Sequence, residues 1–97
     1  MTNNMRPIHP GEILREEMEE LNLSARQLAA ALHVPTNRMT GILNEQRAVT
    51  ADTALRLARF FGTTPEFWLN LQSAYELRRI RFEKGEKISR EVHPYAA

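Results

Sequence analysis

The sequence predicts an all-α fold of five helices followed by a short C-terminal tail. Apolar residues recur three and four positions apart through almost every stretch between turn signals. The stretches are punctuated by residues that start and stop helices, with no strand-like alternation between them. Two short helical stretches also meet at a tight turn, His33-Val34-Pro35, where Pro35 disfavours helical geometry in Val34.

The first helix begins near Pro10, because proline suits a first turn whose N–H groups are unpaired anyway. Ile13, Leu14, Met18 and Leu21 supply its apolar stripe, and Glu16, Glu17, Glu19 and Glu20 fill most of its other faces. Asn22-Leu23 breaks the pattern. Ser24 then opens the second helix with Gln27 three residues on, a capping-box arrangement. Leu28, Ala29 and Leu32 are expected to face inward, and the alanines at 29–31 to let another helix approach closely. The third helix runs from Pro35 or Thr36 to Leu43, with Met39, Ile42 and Leu43 buried.

Asn44-Glu45-Gln46-Arg47 reads as a loop. Thr50 caps a fourth helix with Asp52 in its first turn, and Leu55, Leu57, Ala58 and Phe61 form much of its apolar surface. Gly62 ends it in a left-handed conformation. Thr64-Pro65-Glu66 starts a fifth helix carrying Phe67, Trp68, Leu71, Ala74, Tyr75 and Leu77. Its end is expected near Phe82, since Lys84-Gly85-Glu86-Lys87 reads as a charged breaker and Pro94 discourages helix further on. Residues 1–82 are therefore assigned to one domain, and 83–97 to a tail that is mobile or ordered by a partner.

Composition narrows the function classes. With 97 residues, the chain is one domain's worth and buries a modest core. The absence of cysteine excludes disulfides and thiolate metal sites and fits a reducing cytoplasm. No apolar run is long enough to cross a bilayer, and MTNNMRPIHPGE lacks the apolar core of a secretory signal, so a cytoplasmic protein is expected. Histidines 9, 33 and 93 are scattered without metal-ligand spacing, so neither a metal nor a cofactor is expected. No nucleophile–base pair or phosphate loop stands out, which argues against an enzyme. The net charge of +1 advertises no global basic field. Its distribution is uneven: residues 1–34 carry −2, residues 35–60 carry +2 and residues 61–97 carry +1. The basic bias falls on the third and fourth helices.

Two short helices joined by a tight turn make a helix-turn-helix, spanning roughly residues 24–44. In this motif the exposed start of the second helix enters the major groove of DNA. Thr36, Asn37, Arg38, Thr40 and Gly41 are left on that outer side and are the candidate base-reading residues. Asn37 suits the edge of adenine, and Thr36 offers a hydroxyl or a methyl. Gly41 permits close approach. Arg38 is placed to reach a phosphate or a guanine, and the sequence does not choose between them. Ser24 and Gln27, where the first helix of the motif crosses the backbone, and Asn44 and Arg47, beyond the second, are the candidate phosphate contacts.

At these residues the chain resembles a known family. HPGEIL near the start, the LAAAL–turn–helix segment, ALRLARFFGT and PEFWLNLQ occur in the order and spacing of the HigA-type antitoxins. These are Xre-type helix-turn-helix proteins, the class of lambda-like phage repressors. The resemblance covers residues 6–72, roughly two-thirds of the chain. It implies a five-helix lambda-repressor-like DNA-binding domain, a homodimer, repression of its own promoter at a palindromic operator, and neutralisation of a small basic toxin protein that cleaves mRNA. It also places the operator contacts on Thr36, Asn37, Arg38, Thr40 and Gly41. Two positions depart from the family's pattern. Pro35 stands where a capping serine is usual, and Glu45 where glycine often follows the asparagine. Proline cannot cap with a side chain, and Glu45 near DNA would repel phosphate.

Plainer uses compete for the remaining features. The glutamates at 16–20 read as the solvated face of an amphipathic helix, with a basic partner surface as the lesser reading. Phe67 and Trp68 are aromatics at helical spacing and so suit a core. Aromatics also favour interfaces, and Phe67, Trp68, Leu71 and Tyr75 form the candidate dimer contact. Arg78, Arg79 and Arg81 either touch nucleic acid or favour the helix dipole. Three functions follow: an autoregulating repressor that is also an antitoxin, a solitary regulator with no toxin, and a protein-interaction module with a degenerate helix-turn-helix.

Overall fold

The computed structural model describes residues 6–96, which fold into five helices with no strand among them: α1 (Pro10–Leu21), α2 (Ala25–Leu32), α3 (Thr36–Leu43), α4 (Ala51–Phe61) and α5 (Pro65–Glu91). The all-α expectation holds, and four of the five helices begin and end where the sequence signals place them. Ser24 and Gln27 form the full capping box: Ser24 Oγ accepts from the Gln27 N–H, and Gln27 Oε1 accepts from the Ser24 N–H. Thr50 and Thr64 cap α4 and α5 through their hydroxyls. Asn22, His33 and Gly62 close α1, α2 and α4 in the left-handed region. Pro35 precedes α3 with no side-chain cap.

The cap of α1 is His9. Its Nδ1 accepts from the Gly11 N–H at 2.9 Å, and its ring meets Tyr75 of α5 edge-on at 4.8 Å. His9 is buried. Burial pushes its pKa down, against the opposing pull of Glu45, Glu12 and the Arg47 backbone. A proton on Nδ1 would also destroy the cap. Protonation therefore favours the unfolded chain: the stability is complete above the ordinary histidine pKa of about 6.5 and drains away as pH falls through the lowered folded value. Thermal midpoints recorded from pH 7.5 down to 5.5 are expected to decline, and His9→Asn, which keeps an acceptor but cannot titrate there, is expected to flatten the decline. An equal slope in both proteins would remove His9 as the cause.

The core joins Leu14 and Met18 of α1, Leu28, Ala29 and Leu32 of α2, Met39, Ile42 and Leu43 of α3, Val49, and Ala54, Leu57, Ala58 and Trp68 of α4 and α5. Trp68 lies at its base and donates through Nε1 to Thr63 Oγ1 at 2.8 Å. Gln72 reaches back from α5 to accept from the Val49 N–H at 2.8 Å, tying the loop after α3 to the last helix.

Three sequence expectations need correction. The first concerns α5, which does not stop near Phe82; it passes through Lys84-Gly85-Glu86-Lys87 and ends at Glu91, three residues before Pro94. The expected boundary at 82/83 thus falls inside a helix. A helical glycine costs only about 1 kcal/mol relative to alanine. Arg79–Glu83, Glu86–Arg90 and Lys87–Glu91 pair at i,i+4 spacing through this region, each worth a few tenths of a kcal/mol. The second concerns burial: Leu55 is 61% exposed and Leu21 is also exposed, so neither belongs to the core. Of the alanines at 29–31 only Ala29 is buried. The third concerns Trp68, which is 0% exposed and has no surface to offer a second subunit. Phe67, Leu71 and Tyr75 remain accessible.

Candidate nucleic-acid interface

The helix-turn-helix is built by burying one side of α3. Met39, Ile42 and Leu43 turn into the core, which sends Asn37, Gly41 and Asn44, at i, i+4 and i+7, to the opposite side. Asn37 and Asn44 are exposed, as is Thr36 at the first position of the helix. Thr40 flanks this stripe. Its Oγ1 donates to the Asn37 carbonyl at 3.3 Å, so the hydroxyl proton is engaged and the oxygen is left as an acceptor. Three of the five candidate base-reading residues, Asn37, Thr40 and Gly41, therefore share the outer side of α3, while Thr36 is exposed at its first turn on the side of Met39 and Leu43.

Arg38 leaves the stripe on the other flank. It points along the flank of α3 toward α4, where Nη1 donates to Asp52 Oδ2 at 2.6 Å and the side chain is 26% exposed. Arg56 donates through Nε to the same oxygen at 2.9 Å and through Nη1 to the Leu32 carbonyl at 2.8 Å. Hydrogen bonds from Arg56 and then Arg38 hold the Asp52 carboxyl below its usual range. One chain of contacts thus links the end of α2, the flank of α3 and the start of α4.

Gly41 has a role that its sequence position does not reveal. A Cβ there would lie 3.2 Å from Cβ and 3.3 Å from Cδ of Arg47. Glycine makes room for the stem of Arg47, which lies against the outer side of α3 at Gly41, and Arg47 is exposed. Glu45, between them, sits at φ +61°, the left-handed region that glycine adopts freely. A glutamate where the resembling family often has glycine is therefore also a strained backbone.

The candidate phosphate contacts at the start of α2 are fixed by their own cap. Ser24 uses its oxygen as acceptor and keeps a hydroxyl proton. Gln27 uses Oε1 and keeps its amide N–H donors, and both residues are exposed.

Two contacts were not foreseen, and they fix the pose of α3. Gly11 of α1 crosses the Ile42 backbone so closely that a Cβ would overlap the carbonyl oxygen and lie 3.1 Å from the carbonyl carbon. Arg15, also on α1, donates to the Leu43 carbonyl at 2.9 Å and satisfies an unpaired group at the end of α3. The partners lie 28 residues apart for Arg15, too far for local pattern to signal. The HPGE run held the only hint, a glycine in the first turn of a helix.

Comparison with known proteins agrees with this architecture. The helix-turn-helix family model matches residues 14–68. The chain is 54% identical over 83 residues to the virulence-associated protein I of Dichelobacter nodosus, covering 84% of this chain and 77% of that one. It superposes with a TM-score of 0.90 on an addiction module antidote protein of a HigA family from Coxiella burnetii, at 64% identity over 93% of this chain and 99% of that one. It superposes equally, at 0.90 with 46% identity over 94% and 100%, on the Pseudomonas aeruginosa antitoxin HigA with the higBA promoter.

Proposed function

Because the chain belongs to the HigA-type helix-turn-helix family, we propose that it is a DNA-binding repressor of its own promoter and the antitoxin of a toxin–antitoxin pair. The observation that carries the DNA-binding reading is the outer stripe of α3, with Asn37, Gly41 and Asn44 in line, Thr40 beside them and Arg47 against Gly41. A member of the family superposes on the chain at 0.90 in a structure that holds its promoter DNA.

Asn37 and Thr36 are assigned to base edges. Thr40, its proton engaged by the Asn37 carbonyl, offers an acceptor to an exocyclic amine or a methyl to thymine. Arg38 meets the duplex from the flank of the helix, and Gly41 keeps the backbone close to it. Ser24, Gln27, Asn44 and Arg47 take phosphates and fix the register. In a homodimer, two such helices enter successive major grooves about 34 Å apart on a palindromic operator. The dimer contact is assigned to α5 and the residues after it. Phe67, Leu77, Phe82, Ile88 and Val92 are exposed there, an unusual share of apolar surface for a helix facing only water. Neutralisation of an mRNA-cleaving toxin follows from family membership.

The test is fluorescence anisotropy of the protein with the DNA upstream of its own gene, beside a shuffled duplex, across a salt series. Tight binding to the upstream DNA alone is expected, with Asn37→Ala losing about 1–3 kcal/mol of it. Equal, weak and steeply salt-dependent binding to both duplexes, indifferent to Asn37, would remove the reading and favour a protein-interaction module.

A further inference from the structure

The carboxylate of Asp52 stands beside the surface assigned to DNA, where a negative charge is expected to cost affinity. Its geometry suggests what it gives in return. A single oxygen, Oδ2, takes both Arg38 and Arg56. Arg56 has a second anchor on the Leu32 carbonyl, whereas the Arg38 side chain is held through Asp52 alone among the described residues. Arg56 and Asp52 therefore make a fixed frame, and Arg38 is a long cationic arm tethered to it. The tether is half-exposed: the Asp52 side chain is 55% accessible. Half-exposed ion pairs are readily exchanged for another anion.

An untethered arginine on the flank of a recognition helix gains affinity for any duplex, because every phosphate attracts it whatever the sequence. We propose that Asp52 is a specificity-setting residue, holding Arg38 back from indiscriminate phosphate contact so that it is released only where the recognition helix is fully seated. This rests on the DNA-binding reading above and adds to it a residue on α4, outside the helix-turn-helix itself. Arg38 would then contribute little to binding on arbitrary DNA in the intact protein, and much more once Asp52 is gone.

The experiment compares the full chain, Asp52→Asn, Arg38→Gln and the double variant on the upstream and shuffled duplexes. Asp52→Asn keeps size and shape at an exposed position and is expected to fold; its thermal midpoint is recorded alongside. The expected result is a fall of roughly fivefold in the ratio of upstream to shuffled affinity, the upper end of what a half-exposed ion pair is worth. The change should come from tighter binding to the shuffled duplex. The salt slope on that duplex should steepen by about 0.9, one phosphate's share. Adding Arg38→Gln should return the shuffled-duplex affinity and its salt slope to near their starting values, while Arg38→Gln alone should weaken upstream binding, where the arm is released, clearly more than shuffled binding. A merely structural Asp52 would weaken both duplexes together and show no coupling to Arg38; that result, or a ratio unchanged within about twofold in both backgrounds, overturns the proposal. Failure of the unmodified protein to discriminate between the duplexes would instead overturn the DNA-binding reading and this inference with it.

Discussion

Replacing Trp68 with alanine is expected to lower the unfolding free energy by about 3–5 kcal/mol, enough to leave little of a small domain's stability. The indole is 0% exposed. It packs edge-on against Phe67 at 5.1 Å and obliquely against Phe61 at 5.9 Å. Its N–H is satisfied by Thr63 at 2.8 Å, so truncation removes the largest fully buried side chain together with that bond, leaving the exposed Thr63 hydroxyl to water. Phe67→Ala, one residue away, removes a ring that is 42% exposed and is expected to cost clearly less. Urea melts of the two variants separate a core from an interface. If the dimer face included Trp68, the two losses would be similar and the Trp68 loss would shrink on dilution of the protein. A loss independent of concentration and much larger for Trp68 fits its burial within one subunit.

Gly11→Ala is the second large effect. Alanine ordinarily stabilises a helix relative to glycine by about 0.5–1 kcal/mol. Here the added methyl meets the Ile42 carbonyl oxygen, and backbone cannot step aside as a side chain tip can. Overpacking of this kind costs about 1–3 kcal/mol and occasionally more, and the upper end is expected after the gain in propensity is subtracted. The strain falls on α3, so operator affinity should fall as well, beyond what the loss of folded protein explains. Gly85→Ala is the contrasting measurement. Its Cβ meets only the flexible Arg81 side chain at 3.4 Å, so it should raise helicity by circular dichroism. A neutral Gly11→Ala would mean that α1 and α3 do not cross so closely.

The contrast between those two glycines shows where the sequence was readable. Ser24 with Gln27, Thr50, Gly62 and Thr64-Pro65 act within a few residues of themselves, so local chemistry announced the starts of α2, α4 and α5 and the end of α4. Gly85 announced a break that did not occur, because one glycine inside a helix supported by i,i+4 ion pairs is only a modest penalty. Gly11 gave no more than a hint, because its reason lies on another helix. The same holds for Arg15, Arg56 and Asp52, whose partners are distant in the chain or shared. The recognition helix was legible in outline since its buried positions fix its outer ones. Periodicity alone could not show that Arg38 leans on α4 or that Gly41 accommodates Arg47. Nor does periodicity separate a core aromatic from its exposed neighbour, as Trp68 and Phe67 illustrate.

The α2 and α3 helices have eight residues each, well below the length of about 12–15 at which an isolated helix is even marginal in water. Each has its last turn satisfied by an arginine from elsewhere: Leu32 by Arg56 of α4, and Leu43 by Arg15 of α1. No fragment carrying the motif alone holds these bonds. The surface proposed to read DNA is therefore expected only in a chain that is intact from α1 to α4, and a nicked chain is expected to bind DNA poorly. Occupancy of a promoter would then count whole, folded molecules, and a cell that unfolds or cleaves this protein would lift repression in step with the loss.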